Sequence, residues 1–135
     1  DLPGALVDIR RNTGDQGSDG PWSPAGPDWK RDRRTELDRS LEAAEIQCDD
    51  PDALAARWSE AMERSVSSDA DQYPEIRLYD CSIRFVTARD GGGIGLCGMD
   101  VVIVDRERLL ATANARGHEV SGETVMICGT RIRLV

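Results

Sequence analysis

The alternation of apolar and polar positions predicts two strands, each running directly into a helix. Residues 43–50 alternate small or apolar with polar side chains and end at Asp50, and residues 98–105 repeat this pattern and end at Asp105. A period of two is typical of a strand, whereas the apolar positions after each aspartate recur at helical spacing. Asp50 is therefore predicted to cap the first helix by accepting a backbone N–H, and the second helix is predicted to start near Asp105.

The two units also close on matching strands, Ile-Arg-Phe-Val at residues 83–86 and Ile-Arg-Leu-Val at residues 132–135. The offset between the units is 55 residues at the strand–helix junctions (105 − 50) and 49 residues at the closing strands (132 − 83). A repeated unit of this kind is typical of a duplicated fold with a pocket between the copies. The pattern predicts one domain over residues 42–135, made of two repeats at about residues 42–90 and 97–135.

Shorter elements complete each predicted repeat. Turn-forming residues separate two strands in the first repeat and a hairpin in the second. Gly117 is expected to end the second helix, because a residue with positive φ is needed there. The predicted strands span residues 75–79 and 82–87, then 124–128 and 131–135.

Residues 1–41 differ from the rest of the chain. A strand is predicted at residues 6–10, and a stretch rich in Gly, Pro and Asp follows it as an extension. Trp22 and Trp29 stand inside a proline-rich part of this extension. Two interpretations remain open, because such rings either cap an exposed edge of the core or fold over the mouth of a pocket as a lid.

The composition of the chain disfavours some classes of binding partner and indicates a cellular compartment. The formal net charge of −8 disfavours a nucleic-acid backbone or an anionic membrane as the partner. The sequence has no apolar run of about 18 residues, the length that a membrane-spanning helix requires. Four well-separated cysteines, with a single histidine and no Cys-x-x-Cys, disfavour a zinc cluster. We expect buried free thiols and a cytoplasmic location.

The chain resembles the glyoxalase / bleomycin-resistance / extradiol-dioxygenase superfamily, also called the vicinal oxygen chelate fold. The resemblance covers about residues 42–135 and rests on strand–Asp–helix sequences at residues 46–58 and 101–113. The ending Gly-Thr-Arg-Ile-Arg-Leu at residues 129–134 is similar to the superfamily's terminal Gly-Asn-x-Ile-Glu-Leu strand. Residues 22–29 look like the Pro-Ala-Gly-Pro-Asp-Trp stretch of uncharacterised glyoxalase-like bacterial proteins. The resemblance implies an α+β fold of paired βαβββ modules, whose mixed sheet curls into a cup with the helices outside.

The resemblance also shows where a metal site would lie. Metal-dependent members of the superfamily place ligands on the first and last strand of each module, pointing into the cup. Arginine cannot replace such a ligand, because it stays protonated and has no lone pair to donate. We therefore expect no cofactor; a divalent metal held by Glu45, Gln47 and Asp100 is the alternative. The positions that correspond to the superfamily's ligands are Ala43 or Glu45, Gly98 or Asp100, Arg84, and Arg133.

Strand alternation places charged side chains on the cup face and apolar ones towards the helices. The acids and arginines of the cup face have two interpretations. They form salt bridges that replace the metal as an internal fastener, or the arginines bind a carboxylate, phosphate or enolate-like oxygen while a carboxylate acts as base. The predicted cup-floor, ligand-binding residues are Glu45, Gln47, Arg84, Asp100 and Arg133.

Three functions follow from this resemblance and these residues. The leading hypothesis is a degenerate, metal-free glyoxalase-like domain that binds a small molecule in the cup between its modules. The alternative is a glyoxalase-like lyase or isomerase, either metal-dependent or acid–base. The second alternative is a module that completes, or forms a homodimer with, another module of this fold. The start at Asp1 and the isolated strand at residues 6–10 favour that last possibility.

Overall fold

The protein is described here by a computed structural model that covers residues 2–5, 26, 28–32, 36–89 and 91–135. A short 3-10 helix (Trp29–Asp32) precedes two modules with the same order of elements. The first module comprises β1 (Asp38–Cys48), α1 (Pro51–Met62), β2 (Val66–Ser68), β3 (Pro74–Arg77) and β4 (Ser82–Thr87). The second comprises β5 (Gly95–Ile103), α2 (Arg106–Ala115), β6 (Val120–Ser121), β7 (Thr124–Ile127) and β8 (Thr130–Leu134).

The modules share one mixed sheet with the strand order β2-β3-β4-β1-β5-β8-β7-β6. The order is symmetric about the central antiparallel pair of β1 and β5. Each opening strand pairs in parallel with the closing strand of its own module, β1 with β4 and β5 with β8. This arrangement confirms the predicted α+β fold of paired βαβββ modules.

Both helices begin where the sequence predicts. The side chain of Asp50 accepts a hydrogen bond from the backbone N–H of Ala53 at 3.0 Å. Asp105 accepts one from Arg108 at the same distance of 3.0 Å. These bonds satisfy donors that the first helical turn leaves without partners. The two caps occupy equivalent positions, which confirms that the repeat in the sequence is a repeat in structure.

The sheet contains more strand residues than the pattern predicts. The three residues of β2 and the two of β6 were missed, because neither segment alternates apolar and polar side chains. They are strands only because β3 and β7 supply hydrogen-bond partners. The opening strands also begin earlier than residues 42 and 97, at Asp38 and Gly95.

The core of the first module lies between α1 and the sheet. The rings of Trp58 and Phe85 meet edge to face, with 5.7 Å between their centroids. Ile76 is fully buried beside them. Leu2 and Ala5 pack against this core, and Trp58 Nε1 donates to the Pro3 carbonyl at 3.2 Å. The strand predicted at residues 6–10 lies outside the described residues.

The four cysteines are free, but they are not all buried. Cys48 and Cys97 are buried, as predicted. The prediction was wrong for Cys81, which is half-buried, and for Cys128, which is exposed. Cys128 occupies the turn between β7 and β8, with φ of 50°.

No helix in the part of the chain that the structure describes is both long and apolar enough to cross a membrane.

Candidate functional site

Strand pairing brings four of the five predicted cup-floor residues to the junction of the two modules. Glu45 stands opposite Arg84 in the parallel pair of β1 and β4. Asp100 stands opposite Arg133 in the equivalent pair of β5 and β8. Because β1 and β5 are themselves neighbours, the two pairs meet at the centre of the sheet. We call these four residues the floor cluster.

Asp100 is the most enclosed member of the floor cluster, at 3% exposed. Its Oδ1 accepts a hydrogen bond from Arg133 Nε at 2.9 Å, and its Oδ2 accepts from both Arg133 and Arg84. Burial of the carboxyl group would raise its pKa, but the hydrogen bonds from Arg133 and Arg84 hold the pKa below its usual value. Asp100 is therefore a stably ionised acceptor with both oxygens engaged.

Arg84 connects the two modules. It is buried, and its guanidinium contacts three carboxylates. Nη1 lies 3.2 Å from Glu45 Oε1, Nε lies 3.3 Å from Asp69 Oδ2, and Nη2 donates to Asp100. Buried charges persist when each is paired and hydrogen-bonded. This geometry favours the interpretation that the salt bridges of the floor cluster stabilise the fold.

Asp69 and Arg131 also join the floor cluster, and neither was among the predicted site residues. Asp69 lies between β2 and β3, where strand alternation gives no information about the direction of a side chain. Arg131 could have been found, because it shares a strand face with Arg133. Its Nη2 lies 3.3 Å from Glu45 Oε2 and 3.0 Å from Cys97 Sγ.

A local irregularity in β5 explains the position of Cys97. Glu45 pairs with Gly98 but Ile46 pairs with Leu96, so Cys97 is an extra residue in this strand. An extra residue of this kind changes the direction of a side chain relative to simple alternation. The Cys97 thiol consequently contacts Arg131 on the cup face.

The remaining predicted site residues lie apart from the floor cluster. Gln47 is buried, and its side-chain amide donates to the Gly93 carbonyl at 3.3 Å. Trp29 is half-buried on the 3-10 helix, where Lys30 Nζ lies 5.8 Å from its ring centroid. Neither residue is among the described residues that line the cavity described below. Trp22 lies outside the described residues.

A cavity of about 450 Å³ opens over part of the floor cluster. Arg84, Asp100 and Arg133 line it, whereas Glu45 does not. Apart from Asp100 and Arg133, its lining comes from the first module, so the cavity lies over that module more than between the two. Cys81 also lines the cavity, and burial raises the pKa of its thiol.

The cavity lining is acidic. Three guanidinium groups face six carboxylates among its described residues, which gives a net formal charge of −3 (3 − 6). All of the arginines are already paired with carboxylates. The arginines are Arg77, Arg84 and Arg133, and the acids are Glu42, Asp69, Asp71, Glu75, Asp80 and Asp100.

The divalent metal that the superfamily implies does not fit this donor set. The described residues contain no group of three His, Cys, Asp or Glu side chains that could hold a metal ion. Both oxygens of Asp100 accept hydrogen bonds from arginines, and both oxygens of Glu45 lie against Arg84 and Arg131. A cation here would have to displace guanidinium groups that cannot lose their charge.

Neither a family model nor a curated protein matches the sequence, but solved structures match its fold. A hypothetical protein from Staphylococcus aureus is 11% identical with a TM-score of 0.55; the match covers 78% of this chain and 36% of that one. Methylmalonyl-CoA epimerase from Mycobacterium tuberculosis is 15% identical with a TM-score of 0.54; the match covers 76% of this chain and 90% of that one. A glyoxalase/bleomycin resistance protein/dioxygenase superfamily member from Vibrio splendidus 12B01 is 16% identical with a TM-score of 0.52. That match covers 70% of this chain and 97% of the other.

These likenesses confirm the resemblance found in the sequence, at the level of fold. The chain has the vicinal oxygen chelate fold, and it is glyoxalase-like in architecture. It spans just over a third (36%) of the length of the Staphylococcus aureus protein. Identities this low carry no activity from those proteins to this chain.

Proposed function

We propose that this chain is a metal-free, glyoxalase-like domain that binds a small molecule in the acidic cavity over Arg84, Asp100 and Arg133. The observation that carries the proposal is the pairing of Asp100 and Glu45 with arginines of both modules. Where metal-dependent members of the superfamily place ligands, this chain has a closed network of ion pairs. The network supports a fixed polar floor for a ligand and gives no metal-centred chemistry.

The charge of the cavity indicates the class of ligand. A carboxylate or phosphate would have to compete with Asp100 for Arg84 and Arg133, and it would meet a surplus of three negative charges. An amine would be attracted by that surplus and could donate hydrogen bonds to the rim. Glu42, Asp71 and Asp80 stand at the cavity, and none forms an ion pair with the part of the chain described. We therefore propose a small cationic ligand.

Calorimetric titration with spermidine, citrate and Mn²⁺ tests the proposal. We expect spermidine to bind with an affinity that falls as salt rises, and citrate and Mn²⁺ not to bind. Asp71→Asn and Asp80→Asn should each weaken spermidine binding. Asp52→Asn, an exposed acid on α1 outside the cavity, is the matched control and should not.

Each other outcome of this titration points to a different function. Binding of about one Mn²⁺ per chain, checked by elemental analysis, would contradict the metal-free proposal and favour a metal-dependent enzyme. Binding of citrate in place of spermidine would indicate that the cavity arginines bind an anionic ligand such as a carboxylate. Equal spermidine binding by the wild type and the cavity variants would place the cation elsewhere.

The geometry favours binding over acid–base catalysis. A general base must accept a proton, but Asp100 has a lowered pKa and engages both of its oxygens. Glu45 does not line the cavity. An acid–base lyase or isomerase would therefore need a base outside the floor cluster.

The assembly of the domain is a separate proposal. Both modules lie in one continuous sheet, so a second module is not required to build the floor cluster. A homodimer or pairing with another module of this fold stays a prediction, which sedimentation velocity would test. We also propose a reducing, cytoplasmic compartment, a choice that the four free cysteines support.

A further inference from the structure

We infer that the second module carries a separate apolar site for a planar aromatic molecule of about the size of indole, between α2 and the sheet. A groove of about 280 Å³ lies there. Ile132 and Leu134 line this groove, whereas Arg133, which alternates with them along β8, lines the acidic cavity. The groove therefore lies on the opposite face of the sheet, and the inference does not rest on the proposed function.

The internal repeat shows what such a groove contains in the first module. The offset of 55 residues between the helix caps matches Leu109 with Leu54 and Ala113 with Trp58. Leu54 and Trp58 are buried in the core of the first module, whereas Leu109 and Ala113 line the groove. The groove thus occupies the place where the first module holds an indole ring.

The closing strands show the same substitution of a smaller side chain. The offset of 49 residues matches Leu134 with Phe85, the ring that contacts Trp58 edge to face. The second module therefore lacks both aromatic rings of the first. As a result α2 has no buried residue, whereas α1 buries Leu54, Ala55 and Trp58.

The lining of the groove defines the ligand. Most of its residues are aliphatic, including Val101, Val125 and Ile127, and an apolar space of this kind holds water poorly and accepts an apolar ring. Asp38 is the one charged residue among the described lining residues. Its carboxylate can accept a hydrogen bond from a ring N–H and repels an anionic ring. The groove consequently suits an uncharged ring with a donor, as Trp58 provides in the first module.

Methyl NMR with indole as the probe tests the inference. We expect saturable shifts of the methyl groups of Leu109, Val125 and Ile132, with a dissociation constant of about 1 mM or tighter. Benzoate should cause none of these shifts. Ala113→Trp should fill the groove and weaken indole binding by about tenfold or more. Ala111→Trp, which adds the same ring to an exposed position of α2, should leave binding unchanged.

Two further measurements keep the inference falsifiable. Leu134→Phe introduces the missing ring from the sheet side, so it should also weaken indole binding if Ala113→Trp does not fold. Absence of methyl shifts in the folded wild type, or equal binding by Ala113→Trp, would overturn the inference. So would a wild-type dimer that only the groove-filling variants convert to monomer, because the occupant would then be a second copy of the chain.

Discussion

Gly98 of β5 stands directly opposite Glu45 of β1, and its missing side chain leaves the space that the Glu45 carboxylate occupies. A Cβ at Gly98 would overlap Glu45 Oε2 and would lie 3.2 Å from Cδ of the same carboxyl group. Gly98 is also one of the positions at which the family resemblance implies a metal ligand. In this chain the Glu45 carboxylate occupies that space, where it forms ion pairs with Arg84 and Arg131.

Gly98→Ala should destabilise the protein by about 1–3 kcal/mol, because the added methyl group displaces a partly buried, paired carboxylate. Gly93→Ala is the matched control, since nothing lies within 4 Å of a Cβ at that position. Urea unfolding of the two variants measures the difference. Equal midpoints would show that Glu45 can move without loss and that its pairing is not important for stability.

Arg84→Met should cost about 3–5 kcal/mol of unfolding free energy, because it removes the buried cation shared by three carboxylates. Arg106→Met removes the cation of an exposed pair with Glu123 and should cost no more than about 1 kcal/mol. Chemical denaturation of both variants at neutral pH checks the contrast. A small loss of unfolding free energy in Arg84→Met would show that the salt bridges of the floor cluster do not stabilise the fold.

The stability of the protein should fall in acid partly because of Asp100. Its pKa in the folded state lies below the ordinary value of 3.8. The contribution of the ionised Asp100 carboxylate to the free energy of unfolding is therefore fully present above its unfolded-state pKa. It is lost as the pH falls through the lower folded-state pKa. Unfolding free energies between about pH 6 and about pH 2.5 should show this loss. Asp100→Asn should flatten the acid limb of the curve.

The double variant Arg84→Gln/Arg133→Glu should introduce divalent metal binding. It removes two positive charges and places a new carboxylate beside Glu45 and Asp100, an oxygen-rich set that suits Mn²⁺ or Mg²⁺. We expect a dissociation constant for Mn²⁺ below about 100 µM by calorimetry. Arg106→Glu, a charge reversal on the surface, should bind no better than the wild type. Unchanged affinity in a folded double variant would contradict the correspondence of these strands with the superfamily's metal site.

The thiols should react with a disulfide reagent at different rates. Cys128 is exposed and should react first, whereas Cys48 and Cys97 are buried and should react only on unfolding. Burial, and then the charge of Asp80, raises the pKa of the half-buried Cys81, so its thiol should react slowly at neutral pH. Cys128→Ser should abolish the fast phase, and Cys81→Ser should keep it. A fast phase that survives in Cys128→Ser would show that the reagent reaches Cys81, which lines the cavity next to the start of β4.

Much of the site followed from local chemistry that a sequence records directly. The caps at Asp50 and Asp105 were predictable because one side chain satisfies one nearby backbone N–H. The shared face of Glu45 and Asp100 was predictable because strand alternation has a fixed period. These local rules, applied twice along a duplicated chain, predicted the repeated strand–helix–strand unit and the shared face of most of the floor cluster, whereas the paired βαβββ arrangement was implied by the family resemblance.

Other features depend on partners that are distant in the chain. Asp69 reaches Arg84 from a loop, and the irregularity at Cys97 turns that thiol towards Arg131. The position of the cavity over the first module depends on how the β2–β3 and β3–β4 connections fold over the sheet.

The sequence by itself determined the two modules, their capped helices and the charged face of each opening and closing strand. It did so because hydrogen bonding within a turn of helix and alternation along a strand are local properties. Only the tertiary structure decided that Arg84 joins carboxylates of both modules, and that Ala113 leaves a groove where Trp58 fills the first module. Those outcomes depend on distances between separate strands and on the volume that packed side chains leave between a helix and a sheet.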